Sequence, residues 1–191
     1  MPPLTMATVV VGEAFRFRPP RKWQHLHFCN VVQPAPRIQL PSSEVVYLFQ
    51  DERKVSLQLG STGALSSWVR ELDGHILRTV EERKKEWFGE HCPASVAEHM
   101  TPLFREGEEP GVGSYRVKVT LPAEGSSTRP TTQLYALHED GVRHRAASLE
   151  EVAVGRWAIP IVKPTFLWFS SSCNFGLTLE VTDLLLLPEA A

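Results

Sequence analysis

The chain has 191 residues, with 42% hydrophobic and 22% charged residues and a formal net charge of −2. That composition is ordinary for a soluble globular protein and excludes a disordered or collagen-like chain. The near-neutral charge excludes a globally basic polymer-binding protein, so any nucleic-acid reading has to rest on local patches.

Three cysteines at unrelated spacings, Cys29, Cys92 and Cys173, point to free thiols in a reducing compartment rather than a disulfide framework. No apolar run reaches the ~18 residues of a membrane span. The N-terminus lacks a basic n-region, so no secretory signal is expected. An intracellular protein in one domain, residues 1–191, is the expectation from these features.

In chain order, residues 7–11 predict a first strand stopped by Gly12. Phe15-Arg16-Phe17-Arg18 and Arg21-Lys22-Trp23 follow, and over residues 1–40 Glu13 is the single acid. Residues 1–24 thus read as a basic and aromatic arm. Strands are predicted at residues 25–32, 45–49 and 54–59, the last two joined as a hairpin through Gln50 to Arg53.

Residues 64–88 change period. Leu65, Trp68, Val69, Leu72, Ile76, Leu77 and Val80 recur at helical spacing with charges on the other face, which predicts an amphipathic helix. Ser61 or Thr62 stands at its start, Gly89 at its end, and Gly74 is a possible break. A short helix is predicted at residues 93–100 and a loop at 105–113. Strands resume at 115–121, where Tyr115, Val117, Val119 and Leu121 alternate with Arg116, Lys118 and Thr120, and at 133–138. A Pro/Ser/Thr/Gly loop separates those two.

The last third, residues 157–188, reads as two strands around the turn Ser170 to Asn174. Leu177, Leu179 and Val181 alternate with Thr178, Glu180 and Thr182. In the first of these strands Trp168 and Phe169 are neighbours, so they point to opposite faces. Leu167 and Phe169, with no polar handle, are assigned to the core; Phe166 and Trp168 go to the outer face. Strands, helix, strands predicts a mainly β (α+β) fold, a barrel or sandwich with a helical insertion at residues 61–104.

Three chemistries compete. His25, His27 and Cys29 at alternate positions could hold zinc, but no CxxC pair or distant ligand cluster completes a site, so no metal and no cofactor is expected. Ser170, Ser171, Ser172 and Cys173 lack a nucleophile-elbow pattern, and no phosphate-binding glycine loop is present; no catalytic residue is assigned. Cations interleaved with flat rings suit a single nucleic-acid strand, whose phosphates follow the charges while its bases stack. The candidate binding residues are Phe15, Arg16, Arg18, Lys22 and Trp23 in the arm, Arg116 and Lys118 on one strand face, and Arg156, Lys163, Phe166 and Trp168 near the end. Phe15, Phe17 and Trp23 have an alternative use in fastening the arm over the core.

The series Trp68, Leu72, Glu86-Trp87-Phe88-Gly89, then Tyr115 to Pro122, Phe166 to Phe169, and Phe175 to Val181 resembles a family of single-stranded-DNA-binding proteins in large eukaryotic DNA viruses. That family is similar to the phage replication-type proteins with an OB-fold barrel. The resemblance spans roughly residues 44–188 and implies an OB-like antiparallel barrel, with Val117-Lys118-Val119 as a barrel wall and the Trp168 region as the closing hairpin. It also implies a non-enzymatic protein whose partner is single-stranded DNA in replication, repair or recombination, with replication proteins or self-association beside it. The compartment implied is the host nucleus, a cytoplasmic virus factory or the virion. The chain departs from the phage pattern in having only Glu189 after Asp183, not an acidic tail. The alternative reading is a structural or assembly protein that uses the same barrel for protein contacts.

Overall fold

The structure is a computed structural model that describes residues 2–23, 26–30, 35–51, 54–89, 93–120 and 131–188; the side chains of residues 22–30 and 54 lie outside the description. Among the described residues twelve strands, numbered in chain order, form one mixed sheet. Its centre is a closed circuit of pairings. β5 (Ser43–Asp51) pairs with β6 (Lys54–Ser61), β6 with β8 (Gly113–Val119), β8 with β12 (Phe175–Leu186), and β12 with β11 (Trp157–Phe169). β11 returns to β5 through Trp157 and Ala158.

The expectation of a wholly antiparallel sheet is corrected. β12 runs parallel to β8 and to β9 (Gln133–Leu137), and β1 (Leu4–Thr5) runs parallel to β4 (Ile38–Gln39). The long connections between β8 and β12 allow this, since a parallel pair cannot be joined by a tight turn.

The long strands form where alternation is strong. In β12, Leu177, Leu179 and Val181 are buried while Thr178, Glu180 and Thr182 are half-buried. In β8, Tyr115, Val117 and Val119 are buried. The helix α2 (Gly63–Phe88) is continuous through Gly74. A mid-helix glycine costs about 1 kcal/mol, and the fully buried Leu72 and Ile76 on either side of it offset that easily, at about 1.5–3 kcal/mol each. Gly89 ends the helix at φ 57, a conformation that glycine adopts without steric cost. Among the described residues no helix is long and apolar enough to cross a membrane.

The strand predicted at residues 7–11 is not formed. Met6–Thr8 is a 3-10 turn, and Val11–Ala14 is the short helix α1. Thr8 Oγ donates to the Thr5 carbonyl at 2.8 Å, and Val11 is drawn into the core, so packing overrides the β-propensity of three valines. The helix predicted at 93–100 shrinks to a 3-10 turn at Ala97–His99. Sheet pairing takes the chain beyond it: Met100 bridges Phe175, and Thr101 N–H donates to the Phe175 carbonyl at 2.7 Å. Within the predicted loop 105–113, β7 (Phe104–Glu106) pairs with β8. Apart from Thr131, the loop at 122–131 lies outside the described residues.

Candidate nucleic-acid interface

A β-bulge aims the aromatic end of β11. Ala158, Pro160, Val162 and Pro164 are all buried, which at period two would send Phe166 and Trp168 inward as well. The register shifts between Pro164 and Phe166, Thr165 being the extra residue, and its hydroxyl donates to the Thr178 carbonyl at 3.1 Å. One inserted residue exchanges the faces downstream. Leu167 and Phe169 are therefore buried, and Phe166 and Trp168 are half-buried on the outer side. Pro164 tolerates this place because a bulge leaves a ladder position that needs no N–H.

Trp168 pairs with Gly176 across the hairpin, and its indole lies against that glycine. A Cβ at Gly176 would stand 2.8 Å from Trp168 Cζ2 and 3.0 Å from the Thr101 carbonyl oxygen. The missing side chain makes the seat of the ring.

Beside this seat β8 and β12 part. They pair only at Lys118 with Glu180 and Val119 with Val181; beyond, Arg116 N–H donates instead to the Leu103 carbonyl at 3.2 Å. Residues 101–104 bridge the divergence. Asp73 of α2 holds them, its carboxylate accepting 2.9 Å bonds from Leu103 N–H and Phe104 N–H. Burial raises the Asp73 pKa above its ordinary value, against the two amide donors and Arg116, which lower it. Where the strands part, an open groove of about 380 Å³ is lined by Ser56, Arg116, Lys118, Trp168 and Thr178, with Val117, Leu177 and Leu179 as its apolar floor.

Three strands carry a row of charge past this groove. Lys118 stands beside Glu180, and Glu180 opposite Lys163. Lys118 Nζ lies 3.9 Å from Glu180 Oε1, with the side chains 41% and 29% exposed. An ion pair that open is worth about 0–1 kcal/mol, so a phosphate can displace the carboxylate at little cost.

Arg116, Lys118, Lys163, Phe166 and Trp168, five of the sequence-predicted residues, thus share the outer face of β8, β12 and β11. Of the remaining six, Phe15, Arg16, Arg18 and Arg156 lie elsewhere. Phe15 is corrected: it is 1% exposed, set edge-on to Trp68 at 6.1 Å, and its carbonyl accepts a 2.9 Å bond from His75 Nε2. It anchors the arm, and Phe17 is buried with it. Arg16 and Arg18 are exposed beside these anchors and do not line the groove.

Arg156 stands apart from the groove. It precedes Trp157, up to about 36 Å along β11 from Trp168 at ~3.3 Å per residue, and does not line the groove. Lys22 and Trp23 lie in β2 (Arg21–Trp23), with side chains outside the description. Their backbone is nonetheless brought close. β2 pairs with β3 (Leu26–Asn30), and β3 pairs with β11 so that Phe28 meets Trp168.

The competing chemistries can be placed too. Cys29 and His27 have undescribed side chains and His25 lies outside the description; among the described residues no cluster of His, Cys, Asp or Glu could hold a metal. In the turn after β11, the Ser170 and Ser172 hydroxyls bond each other at 2.9 Å, and Asn174 N–H donates to Ser170 Oγ at 3.1 Å. These serines hold a turn.

The architecture is similar to that of phage single-stranded-DNA-binding proteins. The single-stranded-DNA-binding protein of bacteriophage Enc34 aligns with a TM-score of 0.51 at 11% identity, over 90% of this chain and 89% of that one. Gp2.5, a single-stranded-DNA-binding protein encoded by bacteriophage T7, aligns with a TM-score of 0.50 at 12% identity, over 80% and 86%. At such identity the likeness concerns the fold. No protein-family model and no curated protein matches the chain.

Sequence reasoning missed two outward rings. Tyr47 and Phe49 of β5 are exposed, although Val45 two residues earlier is fully buried and the alternation put all three on one face. A register shift between Val45 and Tyr47 reverses the strand. The one available signal was Val45-Val46, two β-branched apolar residues in a row where strict alternation allows one.

Proposed function

We propose that this protein binds single-stranded DNA without sequence preference and without catalysis, through the outer face of β8, β12 and β11. The observation that carries the reading is a groove lined by Arg116, Lys118 and Trp168, with Lys163 and Phe166 on the same outer face of the neighbouring strand. Cations suited to phosphates and rings suited to bases then lie within reach of one strand. The circuit β5-β6-β8-β12-β11 has five strands, the number in an OB-fold barrel, and such barrels bind oligonucleotides on the face of their second and third strands. On that reading the corresponding strands are β6 and β8, which bring Ser56, Arg116 and Lys118. The fold shared with the two phage proteins supports the same reading.

A role in viral DNA replication, repair or recombination, an origin in a large eukaryotic DNA virus, and a reducing intracellular compartment or the virion as location are parts of this proposal carried by the sequence resemblance. So are replication proteins or self-association as further partners. A second reading, a viral assembly protein using the sheet as an interface, is favoured by one feature: Val154 and Trp157 are exposed at the far end of β11.

Fluorescence anisotropy with labelled oligo-dT across a salt series separates the two. Each neutralised phosphate contributes about −0.7 to the slope of log K against log salt for single strands, so three cations predict a slope of roughly −2. Absence of binding at low salt overturns the DNA reading.

A further inference from the structure

The outer face continues past the groove to β5. Phe49 stands opposite Ser56 and Tyr47 opposite Gln58; Ser56 and Gln58 stand in turn opposite Lys118 and Arg116. Directly opposed residues of antiparallel strands share a face. Two rows result: Phe49, Ser56, Lys118 and Tyr47, Gln58, Arg116. Tyr47 is 52% and Phe49 46% exposed, and the bulge that turns them outward is built into the strand. Ser56 belongs to the groove lining itself, so the rings begin where the groove wall ends.

We infer that Tyr47 and Phe49 form a second stacking platform for the same single strand, which runs from the Trp168 seat across β12, β8 and β6 onto β5. This rests on the DNA reading above. The occupant is assigned from charge and continuity. Both rings stand in line with Arg116 and Lys118, two cations that an apolar protein partner would have to bury and that a phosphate chain would neutralise. From β11 to β5 the path crosses four interstrand spacings, on the order of 20 Å. That length takes several nucleotides, in keeping with the ~4–16 that one such fold accommodates.

The test uses the whole chain, its Tyr47→Ala/Phe49→Ala variant, and oligo-dT of two lengths, about 4 and about 15 nucleotides. Loss of a stacking ring weakens binding roughly 5- to 150-fold per base by alanine substitution. That loss is expected on the long oligonucleotide, with the short one bound as by the parent through the Trp168 groove. Both side chains are exposed, so the melting curve should match the parent's.

Photocrosslinking of 5-iodouracil-bearing oligo-dT to the unmutated protein gives a readout independent of the variant's folding, and adducts at Tyr47 or Phe49 are expected. Long-oligonucleotide affinity unchanged in the double variant, or adducts confined to Phe166 and Trp168, overturns the second platform and leaves the groove standing. Equal losses on both lengths also overturn it, by putting the rings in the primary site. If the unmutated protein binds neither oligonucleotide, the DNA reading fails first.

Discussion

Phe169 and Trp168 are neighbours in the chain and opposites in the fold. Phe169 is sealed among rings: Trp87 edge-on at 5.6 Å, Phe88 edge-on at 5.5 Å and Phe175 stacked at 5.9 Å. All reach it from the end of α2 or across the hairpin turn. Trp168 has the bare Cα of Gly176 beneath it and an open groove at its side. The first ring is fixed by what surrounds it, the second by what has been removed. One strand can therefore join the sheet to the helix and still present an aromatic surface, because alternation keeps the two tasks on separate faces.

The comparison breaks most sharply at Phe169. Phe169→Ala should destabilise by about 3–5 kcal/mol, the range for removing a buried aromatic, and DNA affinity should disappear only as folding does. Trp168→Ala should melt close to the parent while weakening oligo-dT binding roughly 5- to 150-fold. Melting curves beside binding titrations on both variants check this; a Trp168→Ala variant that unfolds while Phe169→Ala survives would mean the two faces are exchanged.

A finer probe lies in the seat. Gly176→Ala inserts a methyl group where the indole and the Thr101 carbonyl already stand. Overpacking of this kind costs about 1–3 kcal/mol. Since the ring must move, affinity should fall further than the loss of stability explains. Equal affinity in a variant that melts lower would show that the position of the ring does not matter.

The smallest effect is expected far from both faces. Glu151 has its pKa lowered to about 2, first by the hydrogen bond from Arg145 and then by Ser148 N–H. A depressed carboxylate adds stability above its unfolded value near 4.5, and that stability is lost as pH falls from there towards 2. Glu151 is half-buried and its partner Arg145 is exposed, so Glu151→Gln should slightly flatten the acid limb of a melting-temperature profile and leave DNA binding at neutral pH unchanged. An altered binding curve would tie the 145–151 turn to the interface.

How much of this was legible in the sequence depended on the range of the forces involved. The stripe Leu65, Trp68, Val69, Leu72, Ile76 and Val80 declared α2, and the alternation from Leu177 to Val181 declared β12, since each pattern is local. The inward Leu167 and Phe169 and the outward Trp168 were readable from side-chain chemistry, although the bulge at Thr165 that sets their faces was not. Tyr47 and Phe49 were not, because the shift after Val45 is a property of two strands together. Phe15 sat in a run that looked like a binding arm, and only its meeting with Trp68, fifty-three positions on, shows it to be an anchor. The Asp73 link to residues 103 and 104 is likewise invisible in sequence: a carboxylate on the polar side of a helix resembles every other until the chain folds back to it.

The way the sheet ends has a consequence for how the protein behaves in a crowd. β5 meets β11 only at Ser43 and Glu44, so past Val45 its side away from β6 pairs with no described strand; the other described strands on the margins are β1 with two residues and β2, β7 and β10 (His144–Ala146) with three each. An unpaired margin is a template for a neighbouring molecule, and its reach grows with its length. Margins two or three residues long offer too few backbone bonds to hold a second sheet. The outer margin of β5 past Val45 is longer, and there, beside Tyr47 and Phe49, a second sheet has the most backbone to pair with.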